Sequence, residues 1–341
     1  MSDNHSEGVL PPWLIAQLER LLPQNGHAWL LHGPSGLGQY ELALGLAQAW
    51  LCEHPTPVGA CHRCSSCHEV EVRTHSDLCV LMPETELLAL GWPLSEKAQS
   101  EIDDKKRKPS KEIRVEALRD AIEFSQRTSA KGRGKVVLLF PAEMMNHVSA
   151  NALLKTLEEP PGDTRFVLAS RSAHLLLPTI RSRCMTHTMA FPPDAQARQW
   201  LIEQGVASQD AGLWLAACGQ RPQDALALAR EGASTASWLA FPQAMRAGDV
   251  TMVREWSAQR LVSTLHKLCH DQMALCIGGA PRFFPASSLV EGCTMARLSS
   301  WSKALNTSMR SVEHPYNAGL MQEALVNQAR LALHSGRKSA P

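Results

Sequence analysis

Apolar positions divide the chain into two regimes. Between Val9 and Gln24, Trp13, Leu14, Ile15, Leu18, Leu21 and Leu22 recur at helical spacing, behind Pro11 and Pro12, where a first turn tolerates proline. Ala28-Trp29-Leu30-Leu31 is a short unbroken apolar run and predicts a buried strand. A glycine-rich stretch, His32 to Tyr40, separates it from a helical pattern over Glu41 to Leu51. Further strands are predicted at Ser76–Leu81, Val136–Phe140 and Arg165–Ser170. Helices are predicted between them, from Ile113 through Val115, Leu118, Ile122 and Phe124, and from Ser149 to the stop at Pro160-Pro161. From about residue 235 the pattern is helical only. Trp238, Leu239, Met245, Val253, Trp256, Leu261, Leu265, Leu268, Leu275 and Ile277 mark core-facing stripes, and Leu320, Ala324, Leu325, Ala329 and Leu331 mark a last helix. Pro281 to Pro285 interrupts these helices as an internal loop.

Composition narrows the setting. At 341 residues, 44% hydrophobic and 20% charged, the chain suits a globular protein of two or three domains. It has no apolar run near the roughly 18 residues that suggest a membrane span. Met1 to His5 is polar, without the apolar core of a signal peptide, which predicts a cytoplasmic protein with its ten cysteines reduced or metal-bound. A net charge of +1 supplies no global attraction to nucleic acid, so any DNA contact is local or made through partners. Residues 83–111 lose periodicity and carry the charge run Asp103 to Lys111. Such a run, with no aromatic residue to stack on bases, predicts a solvated, partly disordered insertion rather than a DNA-facing loop.

The glycine stretch carries the first candidate chemistry. Gly33 and Gly38 keep the spacing of a phosphate-binding loop, with Gly36 between them, and strand-loop-helix is the context such a loop needs. The next two positions of a working loop hold Lys, for the β- and γ-phosphates, and Ser or Thr, for Mg²⁺. Gln39 and Tyr40 stand there instead. In a nucleotidase of this architecture the strand at Val136–Phe140 ends in an acidic pair that holds Mg²⁺ and polarises water. Phe140 and Pro141 occupy those positions, and Glu143 lies two residues further on, where it is expected to face elsewhere. Two degenerate elements predict a nucleotide-binding architecture without hydrolysis; a plain glycine turn is the alternative for the loop alone.

Cys52, Cys61, Cys64 and Cys67 follow the loop helix, with Pro55, Pro57 and Gly59 in the turn between the first two. Four thiolates with this spacing suit tetrahedral Zn²⁺ and leave no position open for substrate, so the site would be structural. A redox dithiol or unrelated free thiols are the alternatives; His54, His62 and His68 are spare donors. Glu158 and Glu159 end the helix that Pro160 stops, where the dipole disfavours acids. They are expected either to find basic partners, on this chain or a neighbouring subunit, or to stand as solvated end charges.

Taken together, His32-Gly33-Pro34 through Gly38, the four cysteines, Asn151 through Pro161 and Ser182-Arg183-Cys184 resemble the clamp-loader branch of the AAA+ proteins, over about residues 25–190. The resemblance implies a parallel-sheet α/β AAA+ base over 1–190 with a zinc module at 52–67, a helical lid over 191–234 and an all-α collar over 235–341. It implies zinc held by Cys52, Cys61, Cys64 and Cys67. It also implies a member of a hetero-pentamer with gamma/tau-type and delta-type subunits, within a replicative DNA polymerase holoenzyme, that places a sliding clamp on primed DNA. Arg183 would be an arginine finger acting in trans on ATP of the adjacent subunit. In the lid, Arg221 lies in Gly219–Leu226 but is displaced in register and followed by Pro222, which weakens a nucleotide-sensing role. The competing readings are an active gamma/tau-type ATPase, a stand-alone zinc module that binds nucleic acid, and a scaffold with no role in trans.

Overall fold

The computed structural model describes residues 10–311 and 318–334. The polar segment Met1–His5 and Val9 lie outside the described residues. The chain divides into two compact units, up to Gln196 and from Ala197.

The first unit holds the helices α1 (Pro12–Leu21), α2 (Gln39–Leu51), α3 (Ser65–Glu71), α4 (Glu84–Ala89), α5 (Glu96–Asp103), α6 (Val115–Gln126), α7 (His147–Glu158) and α8 (Pro178–Arg181). Its strands are β1 (Ala28–His32), β2 (Leu78–Leu81), β3 (Lys135–Leu139), β4 (Thr164–Ser170) and β5 (Met185–Thr188). They form one parallel sheet in the order β2-β3-β4-β1-β5. β3 is buried along its whole length and β1 along all but its last residue, as expected of strands covered on both faces. Leu30 of β1 pairs with Leu168 of β4, and Leu139 of β3 faces the same Leu168 from the other side. β5 is the strand the apolar pattern missed. Its Met-Thr-His-Thr sequence is mostly exposed at the sheet edge and needs no apolar alternation.

Residues 83–111 depart from the expected loose insertion. They fold as α4, an intervening turn and α5, with Trp92 and Glu84 only 8% exposed. The charge run is ordered because Arg107 is spent on specific acids. Its Nη2 donates to Glu84 Oε1 at 2.8 Å and its Nε to Glu101 Oε2 at 2.7 Å, while the amide of Ser110 donates to Glu84 Oε2 at 2.7 Å. The bonds to Glu84 join both ends of the segment across more than twenty residues, which no local pattern announces.

The second unit continues α9 (Asp194–Glu203) and adds α10 (Ser208–Ala217), α11 (Pro222–Arg230), α12 (Thr235–Ala247), α13 (Ala258–Cys276), α14 (Met295–Ser311) and α15 (Ala318–Leu333). One continuous core joins them, with Leu201, Leu215, Phe241, Leu261, Leu265, Leu298 and Leu333 fully buried. The Pro281–Pro285 loop is pulled onto α13 by the buried Asp271 carboxylate, which accepts the amides of Arg282, Phe283 and Phe284 at 2.9, 2.7 and 2.8 Å. That seats Phe284 flat on Trp238, ring centres 4.5 Å apart. Leu239, Ile277, Leu320 and Leu331 are exposed despite their place in the apolar pattern. Among the described residues no helix is long and apolar enough to cross a membrane.

Asp77 shows how the first unit is tied together. Fully buried ahead of β2, it accepts the amides of Ala130 and Lys131 at 2.8 and 2.9 Å and the hydroxyl of Ser129 at 2.9 Å, and it faces Lys135 Nζ at 3.6 Å. Burial alone would raise its pKa, but the converging N–H groups and Lys135 hold it below the usual carboxylate value. Its contribution to stability is therefore complete above the unfolded-state pKa of about 4 and is lost as pH falls through the lower folded value. Asp77→Ala is expected to cost about 3 kcal/mol, because it leaves Lys135 buried without its counter-ion; urea unfolding measures this, and the deficit shrinks toward acid pH.

Candidate functional site

Parallel strands carry their connections at one edge of the sheet, so the loops after β1, β3 and β4 converge. The loop after β1 starts at Gly33, whose amide donates to Ser170 O of β4 at 3.3 Å. It ends at Gly38, which precedes α2 with φ +94°, and a Cβ there would lie 2.5 Å from Leu14 Cδ1, so this position requires glycine. The backbone frame of a phosphate loop is present, but its interior is occupied by the chain itself. Gln39, 3% exposed, turns its amide back and donates to Gly33 O at 2.8 Å and Pro34 O at 2.6 Å.

Tyr40 is equally committed. Its hydroxyl accepts the indole N–H of Trp92 at 2.6 Å, and its ring lies 5.4 Å from that of Phe140, which follows β3 where an acid would stand. Arg171, just past β4, stacks its guanidinium 4.7 Å from the centre of the Phe140 ring and pairs with Glu86 of α4 at 3.2 Å. Glu143 accepts the Arg171 amide at 3.0 Å with one oxygen; its other oxygen is buried without a hydrogen-bond partner among the described residues. Four segments thus meet in an aromatic and ionic plug. Sequence reasoning singled out Gln39, Tyr40 and Phe140 but not Trp92, Glu86 or Arg171. The one available signal was the apolar run Leu87 to Leu94 around Trp92, inside a segment with no regular period.

The four cysteines converge as their spacing predicts. Cys52 follows α2, Cys61 and Cys64 lie on the loop, and Cys67 is in the first turn of α3. Their sulfurs all lie within 4.8 Å of one another. The Sγ separations are 3.4 Å for Cys64 and Cys67, 3.6 Å for Cys52 and Cys67, 3.8 Å for Cys52 and Cys64, and 3.9 Å for Cys61 and Cys67. Sulfurs arranged tetrahedrally about 2.3 Å from a common ion would be about 3.8 Å apart, so the cluster could hold a metal ion. Hydrogen bonding from the Arg63 amide brings the Cys61 thiol down to about 6, whereas burial pushes Cys67 up. His62 faces Glu71 at 3.4 Å and does not join the sulfur cluster.

Ser182-Arg183-Cys184 closes the short helix α8. Ile180 anchors that helix in the core, fully buried. Ser182 Oγ donates to Thr179 O at 3.2 Å, and Cys184 packs against the same core, where burial pushes its thiol up to about 12 and leaves it unreactive. Between them Arg183 reaches the surface, where Glu158 is its acidic partner. Arg221, in the second unit, is bonded to Cys218 O at 2.7 Å and paired with Asp224 at 2.7 Å.

Residues 12–193 match the family model described as DNA polymerase III, delta subunit. The chain is 40% identical over 192 residues to the DNA polymerase III subunit delta' of Pseudomonas aeruginosa, covering 56% of this chain and 52% of that one. It is 34% identical over 205 residues to the delta' subunit of Escherichia coli, covering 59% and 54%. Similarity to the tau subunit of Escherichia coli is 31% over 250 residues, covering 72% of this chain and 33% of that one. The chain spans about half the length of the delta' relatives it matches. A DNA polymerase III gamma subunit-related protein from Thermotoga maritima shares the fold, with a TM-score of 0.52 at 16% identity over 94% of this chain and 100% of that one. With more than half of its residues matched by the family model, and with the loop, cysteine cluster and Ser-Arg-Cys turn all inside the matched span, the chain belongs to the DNA polymerase III delta-subunit family.

Proposed function

We propose that the chain acts as the delta-prime subunit of a DNA polymerase III clamp loader, an AAA+ subunit that hydrolyses no ATP of its own. The observation that carries this reading is the self-closed loop, with Gln39 bonded to Gly33 and Pro34 and Tyr40 locked between Trp92 and Phe140. At the positions that would serve ATP, Gln39 stands for the ammonium, Tyr40 for the small hydroxyl, and Phe140 and Pro141 for the acidic pair, while the nearby Glu143 carboxylate is bonded to the Arg171 amide. An active gamma/tau-type motor needs all three.

What the subunit contributes is Arg183 as an arginine finger for ATP on a neighbour. A guanidinium is always charged and planar, so it can bridge γ-phosphate oxygens as charge spreads in the transition state. The surface location of Arg183, on a turn fixed by Ile180 and Ser182, supports this role. The partners would be gamma/tau and delta subunits in a hetero-pentamer, acting in the cytoplasm on a sliding clamp and primed DNA. We assign the base to residues 1–190, with α9–α11 as the lid over 191–234 and α12–α15 as the collar over 235–341. Cys52, Cys61, Cys64 and Cys67 would hold zinc, a closed four-thiolate site that fastens α2 to α3 and takes no part in chemistry. The near-neutral net charge argues against an independent nucleic-acid-binding module.

The decisive measurement is steady-state ATP hydrolysis by the reconstituted loader with clamp and primed DNA. Arg183→Ala is expected to slow the site it faces by about 10³-fold or more, so the complex loses the share of turnover that site carries. An unchanged rate would remove the finger role. The chain alone is expected neither to hydrolyse ATP nor to bind it tighter than about 1 mM by calorimetry, and Gln39→Lys with Tyr40→Thr should not restore binding while Phe140 stands in place of the acid. For the metal, elemental analysis of the purified chain should give one zinc per molecule. Cys64→Ser should lose it and lower stability by about 3 kcal/mol, an effect that a chelator reproduces on the wild-type chain.

A further inference from the structure

Arg183 is held by a residue that nothing so far has given a role in catalysis. Glu158 is the last residue of α7, which stops there because Pro160 and Pro161 cannot continue it. A carboxylate at a helix C-terminus opposes the dipole, so this position gains only if a cation answers it. The cation is Arg183, twenty-five residues later. Its Nε and Nη2 converge on the single oxygen Glu158 Oε2 at 3.3 and 3.2 Å. Its Nη1 donates to Thr179 O at 3.1 Å. A guanidinium has five N–H groups, so this arrangement leaves one on each terminal nitrogen unspent. The Arg183 side chain is 31% exposed and that of Glu158 60%, a surface setting in which an ion pair adds little to stability. Its effect is to confine a long side chain that would otherwise sample many rotamers.

We propose that Glu158 is a positioning residue for Arg183. It holds the Nε edge of the guanidinium and leaves one N–H on each terminal nitrogen for the anionic oxygens of a nucleotide on the adjacent subunit. Pre-ordering of this kind matters because small displacements of a catalytic group lower rates steeply. The inference rests on the reading of Arg183 as a finger, and the experiment separates the two.

Glu158→Gln, Glu158→Ala and Glu158→Asp are introduced into the full loader, in wild-type and Arg183→Ala backgrounds, and ATP turnover is measured with clamp and primed DNA. In the wild-type background Glu158→Gln and Glu158→Ala should lower the Arg183-dependent part of kcat about tenfold, with KM for ATP changed less than about twofold. Glu158→Asp should recover part of the loss. In the Arg183→Ala background none of the three should have a further effect, a non-additivity that a merely structural role would not produce. Gln keeps the size of Glu and serves as the test if Glu158→Ala fails to assemble. Wild-type turnover by Glu158→Gln, alongside a loss in Arg183→Ala, would overturn the positioning role and leave the finger intact. Equal losses in both backgrounds would also overturn it. No loss in Arg183→Ala would overturn the finger, and the inference with it.

Discussion

A parallel sheet sends every carboxyl end to the same edge, and the first unit is built around that constraint. β1, β3 and β4 lie within two positions of one another in the sheet, so the residues that follow them must share one crevice. In a nucleotidase that crevice holds phosphates and metal. In this chain it holds Gln39, Tyr40, Phe140 and Arg171, with Trp92 brought in from the segment after β2. The unit keeps the architecture and fills the crevice with contacts among its own side chains. Each replacement is compatible with the others: the amide satisfies loop carbonyls, the phenol accepts an indole N–H, and the aromatic ring receives a guanidinium.

Ion pairs between distant segments fix the periphery. Arg107 with Glu84 and Glu101 turns the α4–α5 segment into a folded element, and Arg171 with Glu86 joins that element to the end of β4. Arg183 with Glu158 joins the turn after α8 to the end of α7. The first of these is largely shielded from solvent, and the last is open to it. That difference separates a pair that orders the fold from one suited to orienting a group at a surface.

The second unit solves a different problem. Helices without a sheet need loops that return accurately, and Asp271 does this by gathering three successive amides and seating Phe284 against Trp238. Its core is continuous from α9 to α15.

The sequence by itself determined the strands whose residues are buried on both faces, the glycine frame of the loop, the cysteine cluster and the residues, Gln39-Tyr40 and Phe140-Pro141, that stand where a working nucleotidase has Lys-Ser/Thr and an acidic pair. These depend on residue type at fixed short spacing, which chain geometry turns directly into structure. It also placed Glu158 at an unfavourable helix end, leaving open whether a cation answers it or it stands as a solvated end charge. Tertiary structure alone decided that the cation is Arg183, that residues 83–111 are folded, that Trp92 seals Tyr40, and that β5 joins the sheet edge. Leu239, Ile277, Leu320 and Leu331 fit the apolar pattern yet face solvent. The common reason is range: a hydrogen bond, an ion pair or an edge pairing between residues 25 or 50 apart leaves no periodic trace, because its energy depends on where two segments meet rather than on what surrounds either one in the chain.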